Sequence, residues 1–473
     1  MMGLRSWLRG AMQRLIGKTE IEGALRTHTA LSDEMNQAIM LWRDMYHNCP
    51  PWKSNNVLTL NIPAIIASKV AKMVTMEAEY NITGGARANW ISEQFSHTWA
   101  NLRAYAEYAV AKGGLVFKPY IDGTAITVDC IQADRFFPIT YDSNKMITGG
   151  VFVAQKTVGN TIYTRLERQE YKNGRHTISQ QAFRSNTVGT LGAPCPLSAV
   201  DDWADIQAET WVEGVNQPLF VYWGIPFANN IDDASPLGVS VYSKASETIE
   251  QLDRQYSRLV WEFEGGELAV HASLDMFKPK PGGKTGEVEL PRGKQRLYRL
   301  LDDGISDQQN FFETYAPAFR DESLLNGFNT LLRQIEQQCG LAHGVLSNPE
   351  SVEKTATEIV SSKQESYSTI VDIQKSLEVA LVRLLASIDA LGSAGRLAPA
   401  GGYQAAFSWD DSIVVDKEAK RQQYWQYVSS GKFPFWAYLV KFEGYTEKEA
   451  KQVSQEPSMT NPYGFRDENN ATS

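Results

Sequence analysis

The sequence KTATEI, from Lys354 to Ile359, opens the longest helical pattern of the chain, which extends from about Val352 to Leu391. A loop at residues 341–351 precedes this pattern, and a Gly/Ala-rich linker at 392–402 follows it. A helix of this length would reach roughly 55–60 Å at about 1.5 Å per residue. Its apolar residues keep to one helical face: Ala356, Ile359, Ile370, Ile373, Leu377, Leu381, Leu384 and Ile388.

Two further helical patterns lie upstream of that loop. The first has Ser235 as a candidate N-cap, Pro236 at the first helical position and Gly265-Gly266 as a stop signal. The second resumes beyond Pro317, a helix breaker, and continues to Gly340. Both carry apolar residues at helical spacing: Tyr242, Ala245, Ile249, Leu252, Tyr256, Leu259 and Phe263, then Phe319, Leu324, Leu325, Phe328, Leu331, Leu332 and Ile335.

A small insertion at residues 266–305 separates these two helices. It contains a Pro/Gly-rich tract at 279–283 with strand-like flanks, and only Glu287 and Glu289 oppose the seven basic residues from Lys278 to Arg299. In a chain of formal net charge -9, this is a local reversal of sign. The basic residues are Lys278, Lys280, Lys284, Arg292, Lys294, Arg296 and Arg299.

The first half of the chain changes texture at Gly113-Gly114. Residues 30–112 are predicted to be mostly helical, with Asn61-Ile62-Pro63 beginning one helix and a second pattern at about 90–111. Turn signals such as Asn173-Gly174 then separate short β patterns, which predict an antiparallel β region. The predicted strands are 115–120, 125–132, 150–158, 161–168, 175–183 and 219–223. The fold class is therefore α+β.

Composition and charge exclude several classes of protein. The chain has 473 residues, 43% of them hydrophobic, which allows a sizeable core. A net charge of -9 argues against a protein that coats nucleic acid through a basic surface. No apolar run is long enough for a membrane-spanning helix. Residues 4–18 form a basic amphipathic stretch, for which a membrane-surface helix and a helix packed on protein both remain open.

No catalytic, cofactor or metal site is predicted. Gly282-Gly283-Lys284-Thr285 resembles the end of a phosphate-binding loop, but Lys278 occupies the position of the motif's first glycine. The six histidines lack the spacing of a metal site, and the four cysteines form no C-x-x-C pair. The pairs Asp232-Asp233 and Asp410-Asp411 are read as helix-cap and loop residues. We therefore expect a protein that is not an enzyme.

Several stretches, taken in order, resemble the portal protein family of long-tailed phages. KTATEI at the head of the long helix is the most specific of them. The others are residues 218–223 with Pro226 and Asn229-Asn230, then 235–238, 319–322 before Gly340-Leu341, and 409–413 before Asp416. The resemblance covers roughly residues 40–455.

The resemblance implies a portal fold: a mainly helical wing, stem and crown, an antiparallel β region in the wing and a small α/β clip insertion. The implied divisions are 1–234 wing, 235–264 first stem helix, 265–306 clip, 307–340 second stem helix, 341–351 tunnel loop, 352–391 long wing helix, and 392–473 crown and C-terminal tail.

The same resemblance implies a ring of about twelve subunits at the capsid portal vertex of the virion, through which double-stranded DNA is packaged and ejected. The implied partners are the terminase, head-completion and adaptor proteins, the major capsid protein and the scaffold, with assembly in the host cytoplasm and no membrane. The alternative is another virion structural protein, such as a minor head or adaptor protein, and then a DNA-processing enzyme.

The implied site residues fall in two places. The DNA-facing candidates in and beside the tunnel loop are Asn348, Glu350, Ser351 and Lys354, for which ordinary loop and N-cap roles remain the alternative. In the clip they are the basic residues Lys278, Lys280, Lys284, Arg292, Lys294 and Arg296, which would face adaptors or DNA, or form a solvated loop.

Overall fold

The computed structural model describes residues 16–266, 269–273, 278, 298–301, 312–315, 318, 320–348, 356–409 and 417–455. The chain divides into two compact units, Met1–Trp409 and Asp410–Ser473. Both helices and antiparallel sheets are present, so the α+β class is confirmed at this level. Most of the amphipathic stretch predicted at residues 4–18 lies outside the described residues.

Five helices are described in the N-terminal part of the larger unit. The predicted pattern at 90–111 is two helices that meet at Asn101, and Asn61-Ile62-Pro63 begins a helix as predicted. Asn61 adopts a left-handed conformation (φ 58°), which turns the chain into that helix. The helices are α1 Lys18–Leu25, α2 Asp33–Tyr46, α3 Ile62–Thr75, α4 Ala86–Ala100 and α5 Leu102–Lys112.

An antiparallel β region follows, as the turn signals predicted. The hairpin turn Asn173-Gly174 has positive φ at both positions, which matches the twist of the strands that it joins. The sequence did not predict β1, β4, β8 or β9. Strand β1, Glu79–Thr83, lies earlier, between α3 and α4. The strands of the β region are β2 Gly114–Asp122, β3 Ala125–Gln132, β4 Phe136–Tyr141, β5 Ile147–Val158, β6 Thr161–Lys172, β7 Arg175–Ser185, β8 Ala193–Cys195, β9 Glu209–Glu213 and β10 Val221–Gly224.

These strands form separate sheets. The largest has the order β4-β5-β6-β7-β8, with β9 also paired to β7, and a three-stranded sheet has the order β10-β2-β3. The pairing of β2 with β3 places Asp122 opposite Ala125, and the pairing of β5 with β6 places Val158 opposite Thr161. Strand β1 instead pairs with the distant strand β14, Gln404–Ser408.

Helix α6, Ser246–Gly265, begins later than the sequence predicted. Ser235 is not its N-cap: its hydroxyl accepts a bond from Leu237 N (3.2 Å). Tertiary contacts hold the intervening residues, since Val241 N donates to Val110 O (3.1 Å). The stop signal at Gly265-Gly266 is confirmed.

Three strands are described in and after the predicted insertion: β11 Ala269–Ser273, β12 Tyr298–Leu301 and β13 Phe312–Tyr315. Strand β11 is central, parallel to β12 and antiparallel to β13. The third strand falls within 307–340, which the sequence assigned to a helix. That helix, α7, spans Asp321–Gln338, beyond Pro317. The insertion was predicted to be α/β, and the helical part of that prediction falls outside the described residues.

The longest helix is α8, Ala356–Ala394, with 39 residues. Its buried face, from Ile370 to Leu391, belongs to the same hydrophobic core as α3 and the β2 and β10 strands. Hydrogen bonds add to this packing, because Gln374 Nε2 donates to Val74 O (3.2 Å) and Ser376 Oγ donates to Gly224 O (2.8 Å). The helix therefore packs in the hydrophobic core of the larger unit. The predicted start at Val352 lies outside the described residues.

In its described part, residues 417–455, the smaller unit has three short helices: α9 Lys417–Ser429, α10 Phe435–Glu443 and α11 Glu447–Gln455. Trp425 and Tyr438 bring α9 and α10 together with their ring centroids 5.3 Å apart. An ion pair between Arg421 and Glu443 (2.8 Å) joins the same helices.

Candidate functional site

Helices α6 and α7 pack side by side. The rings of Tyr256 and Phe328 lie 6.4 Å apart between them. Arg320, just before α7, bonds both carboxylate oxygens of Glu262, at 3.1 Å from Nε and 2.6 Å from Nη2. These bonds lower the pKa of Glu262. The two helices thus form one paired element.

A buried carboxylate fixes α6 to the body of the unit. Asp253 accepts bonds from Trp52 Nε1 (2.9 Å) and Leu60 N (3.0 Å). Burial raises the pKa of Asp253, and these two bonds oppose that rise. Further along the helix, Ser257 Oγ accepts a bond from Leu58 N (2.8 Å). The segment 52–60 is therefore held along one side of α6.

The chain reverses at Gly340, after α7. Gly340 has φ +66°, and a Cβ there would lie 2.5 Å from Thr369 Oγ1 on α8. Only glycine fits this left-handed position against the neighbouring helix. Leu341 N donates back to Glu336 O (2.8 Å), which completes the C-terminal turn. The loop from α7 to α8 consequently begins in contact with α8.

Glu336, in the last turn of α7, organises the start of this loop. Its side chain is fully buried. One carboxylate oxygen accepts bonds from the Leu346 amide and from Ser347 N (2.8 Å). The other accepts from Ser347 Oγ (2.8 Å) and Gly344 N (3.3 Å). Residues 344–347 therefore fold over a single carboxylate.

The protonation state of Glu336 follows from these bonds. Desolvation raises the pKa of a buried carboxyl group, but the donors from Ser347, Leu346 and Gly344 outweigh it and the pKa is lowered. The side chain is therefore ionised at neutral pH. Among the described residues, no lysine or arginine pairs with it. His343 Nδ1 lies 3.4 Å from one of its oxygens, and the loop amides stabilise the charge.

Further tethers hold the rest of the loop start. Lys69 Nζ on α3 donates to Val345 O (2.5 Å). Asn348 N donates to Asn329 Oδ1 (2.9 Å), which links the loop back to α7. Ser366 Oγ on α8 accepts a bond from Ala342 N. The described part of the loop is thus tied to three helices, and Asn348 is exposed at its end.

A comparison with known protein families identifies the chain. A family model described as "Phage portal protein, SPP1 Gp6-like" matches residues 26–463. The chain belongs to this family. The portal assignment made from the sequence is confirmed, and the chain is a phage portal subunit, a virion component.

Two other comparisons concern solved structures and curated proteins. A chain from a structure described as the neck of a native GTA particle computed with C12 symmetry matches with 10% identity and a TM-score of 0.42. The match covers 93% of this chain and 99% of that chain. A comparison with curated proteins found no match.

The portal family is structural and not enzymatic, and it implies a ring oligomer with other virion components at the portal vertex. Within the described ranges, no group of three or more His, Cys, Asp or Glu side chains could hold a metal ion. No helix among those residues is long and apolar enough to cross a membrane.

The site residues predicted for this portal subunit are described only in part. Asn348 lies at the exposed end of the tethered loop start, and Lys278 is also exposed. The other predicted residues lie outside the described residues: Glu350, Ser351, Lys354, Lys280, Lys284, Arg292, Lys294 and Arg296.

Sequence reasoning missed Glu336 and Lys69. Glu336 follows Ile335 and lies one helical turn after Leu332, on the buried face of α7. A charged residue at an apolar position near a helix end was a usable signal, because buried charges need partners. Lys69 gave no comparable signal, since it lies on the exposed side of α3.

Proposed function

We propose that this portal subunit forms a closed ring of about twelve copies, with double-stranded DNA passing through its centre and the loop at 341–351 facing that DNA. The observation that carries the proposal is the buried Glu336 carboxylate. It holds residues 344–347 in one conformation at the end of the α6–α7 pair. A loop fixed in this way presents the residues beyond it at a defined position, as a narrow channel requires.

The divisions of the chain follow the same proposal. Residues 1–234 and 352–391 form the wing, 265–306 the clip, 341–351 the tunnel loop, and 392–473 the crown and tail. Residues 235–264 and 307–340, with α6 and α7, form the stem. The burial of α8 against α3 and the β2 and β10 strands supports a single wing body. Strands β11 and β12 support a small folded clip, and β13, which lies beyond 306, pairs with β11.

Charge supports passive transport of DNA. The net charge of -9 makes the subunit repel phosphate overall, so a channel built from it would not grip the DNA. The loop would guide the DNA through Asn348, Glu350, Ser351 and Lys354. The ring would provide the channel through which a separate terminase motor moves the DNA.

The clip and crown would meet the other partners. Lys278 is exposed, and it begins the basic tract of a chain that is otherwise acidic. We assign this tract to contacts with head-completion and adaptor proteins or with DNA. The ring would assemble in the host cytoplasm with the scaffold and the major capsid protein, and it would release DNA at ejection.

Native mass spectrometry with negative-stain imaging tests the ring. Closed rings of about twelve subunits with a central hole are the expected result. A chain that stays monomeric or dimeric at high concentration, with and without scaffold protein, would overturn the proposal. So would ATP hydrolysis by the purified chain alone, because the proposed role is passive.

DNA packaging tests the loop. Asn348→Ala should alter the amount of packaged DNA while leaving the rings intact, because Asn348 is exposed and its side chain accepts no bond from the loop start. Asn144→Ala, at an exposed β turn, is the matched control. Unchanged packaging by Asn348→Ala and by variants of Glu350, Ser351 and Lys354 would remove the loop from the proposal.

A further inference from the structure

A groove runs along the side of α6 that faces away from α7. Its volume is about 790 Å³, and it lies between α6 and the segment 55–58. Two large apolar side chains are exposed in it, Trp261 at 67% and Leu58 at 43%. Exposed tryptophan together with arginine is typical of protein interfaces.

The wall that α6 contributes is a single helical stripe. Arg254, Arg258 and Trp261 follow one another at helical spacing, and all three are exposed. Arg254 is paired with Glu250 (2.6 Å), whereas Arg258 has no ion-pair partner among the described residues. The opposite wall is held in place by the bond from Leu58 N to Ser257 Oγ (2.8 Å). The groove is therefore formed in the single subunit. Its α6 wall carries the two arginines and Trp261, with one acidic residue, Glu264, at its end.

A surface of opposite character lies on α7. Asp321 and Glu322 begin the helix, and Leu325 follows one turn later with 46% of its surface exposed. The described residues offer Asp321 and Glu322 no basic partner. This surface is acidic with an apolar centre, so it complements the α6 groove in both charge and polarity.

The two surfaces lie at the same level along the α6–α7 pair. Arg320 meets Glu262 at one level, and Phe328 meets Tyr256 further along. Leu325 and Glu322 fall between these two contacts, at the level of Arg258 and Trp261. Rotation about the axis of a cyclic ring leaves each group at its own height. If the pair runs along that axis, the α7 surface of one copy reaches the height of its neighbour's groove.

We propose that the α6 groove receives the start of α7 from a second copy of this chain, with Leu325 packed against Trp261 and Glu322 paired with Arg258. This contact rests on the proposed ring. It is heterologous, because a different surface of each copy takes part. A heterologous contact repeated by rotation closes a ring, whereas an isologous one would stop at a dimer.

A charge-swap experiment on the full chain tests the pairing. Arg258→Glu and Glu322→Arg each place like charges at the contact, so each should raise the protein concentration at which rings half-dissociate by about tenfold or more. The double variant restores opposite charges and should return within about threefold of the unmodified chain. Trp261→Ala should weaken the ring at least as much as either single variant.

Matched controls are available in the β region. Arg184→Glu reverses an exposed charge, and Trp211→Ala removes a side chain that is 52% exposed. Both should leave the half-dissociation concentration within about twofold, since neither lies on α6 or α7. Circular dichroism of each variant verifies that the fold is kept, which is expected because the substituted residues are exposed.

The outcomes separate this inference from the ring proposal. Rings of the unmodified chain that tolerate Arg258→Glu and Trp261→Ala would overturn the inference and leave the ring intact. Weakening by both single charge variants without recovery in the double variant would also overturn the pairing. A chain that forms no rings would overturn both proposals together.

Discussion

Replacing Glu336 by glutamine tests whether one buried carboxylate holds the start of the loop. Glutamine has nearly the same shape, so packing in the last turn of α7 is kept. The side-chain oxygen that accepts from the Leu346 amide and Ser347 N can remain an acceptor. The other oxygen becomes an NH₂ group, which only donates, and it then faces Gly344 N at 3.3 Å.

The expected cost can be worked from these contacts. A hydrogen bond to a charged group contributes about 1.5–3 kcal/mol and a neutral one about 0.5–1.5 kcal/mol. Two backbone bonds that lose charge assistance therefore weaken by about 1 kcal/mol each. The bond to Gly344 N is lost, although Ser347 Oγ still accepts from that amide at 3.2 Å. The loop start should be destabilised by about 2–3 kcal/mol in total.

Amide hydrogen exchange measures this local opening. A loss of about 2–3 kcal/mol speeds exchange at Leu346 and Ser347 by roughly 30- to 160-fold when opening is rapid and reversible. Amides in the middle of α8 should not change, because they open only with the whole unit. Glu93→Gln, an exposed glutamate on α4, should leave exchange at both loop amides unchanged.

The same experiment can refute the reasoning. A change below about threefold at Leu346 and Ser347 would mean that the carboxylate does not hold the loop start. Equal acceleration throughout the larger unit would mean that Glu336 supports the fold as a whole and has no special relation to the loop.

Three further predictions concern the buried polar groups and one turn. Lys118→Met should lower the free energy of unfolding by about 3–5 kcal/mol in urea titrations, because it leaves the buried Glu167 without its lysine partner at 3.0 Å. Adding Glu167→Leu to this variant should recover most of that loss, and no recovery would contradict the pairing. Burial lowers the pKa of His176 to about 4, so the imidazole is protonated in the unfolded chain before it is protonated in the folded chain as the pH falls. Up to about 3 kcal/mol of the free energy of unfolding should therefore be lost between about pH 6.5 and 4. His176→Gln should flatten that part of the pH–stability curve from urea titrations, and an unchanged slope would argue against this role of His176. Gly340→Ala should destabilise the larger unit by about 2 kcal/mol or more, because the added Cβ is strained in the left-handed conformation and overlaps with α8. Gly159→Ala, at φ +60° with no atom within 4 Å of an added Cβ, should show only the cost of the left-handed conformation. Equal losses of stability in thermal or urea unfolding would exclude the overlap with α8.

Local patterns predicted many elements because their causes are local. Pro63 after Asn61, the apolar face of α8 and the turn Asn173-Gly174 each act within a few residues. The helix at Pro63 and the turn were found where the sequence placed them, and α8 is a helix throughout its described part. The KTATEI stretch and the order of the other motifs identified the family, which the match over residues 26–463 confirmed. The divisions into wing, stem, clip and crown stay a prediction.

Other features were invisible to local patterns because distant residues decide them. Residues 79–83 form strand β1 because β14, more than 300 residues later in the chain, pairs with them. The start of α6 is delayed because Val241 bonds to Val110 before the helix can begin. In both cases the competing backbone partner is remote in sequence, so no window around the residue contains the information.

The candidate site divides in the same way. The sequence alone determined that a loop lies between α7 and α8 and that Asn348 is one of its polar residues, because composition and helix periodicity mark such a loop. Only the tertiary structure decided that Glu336 holds the loop start and that Lys69 reaches Val345. A carboxylate becomes an anchor only when folding removes water from it and brings backbone donors to both of its oxygens, and that arrangement depends on three helices together.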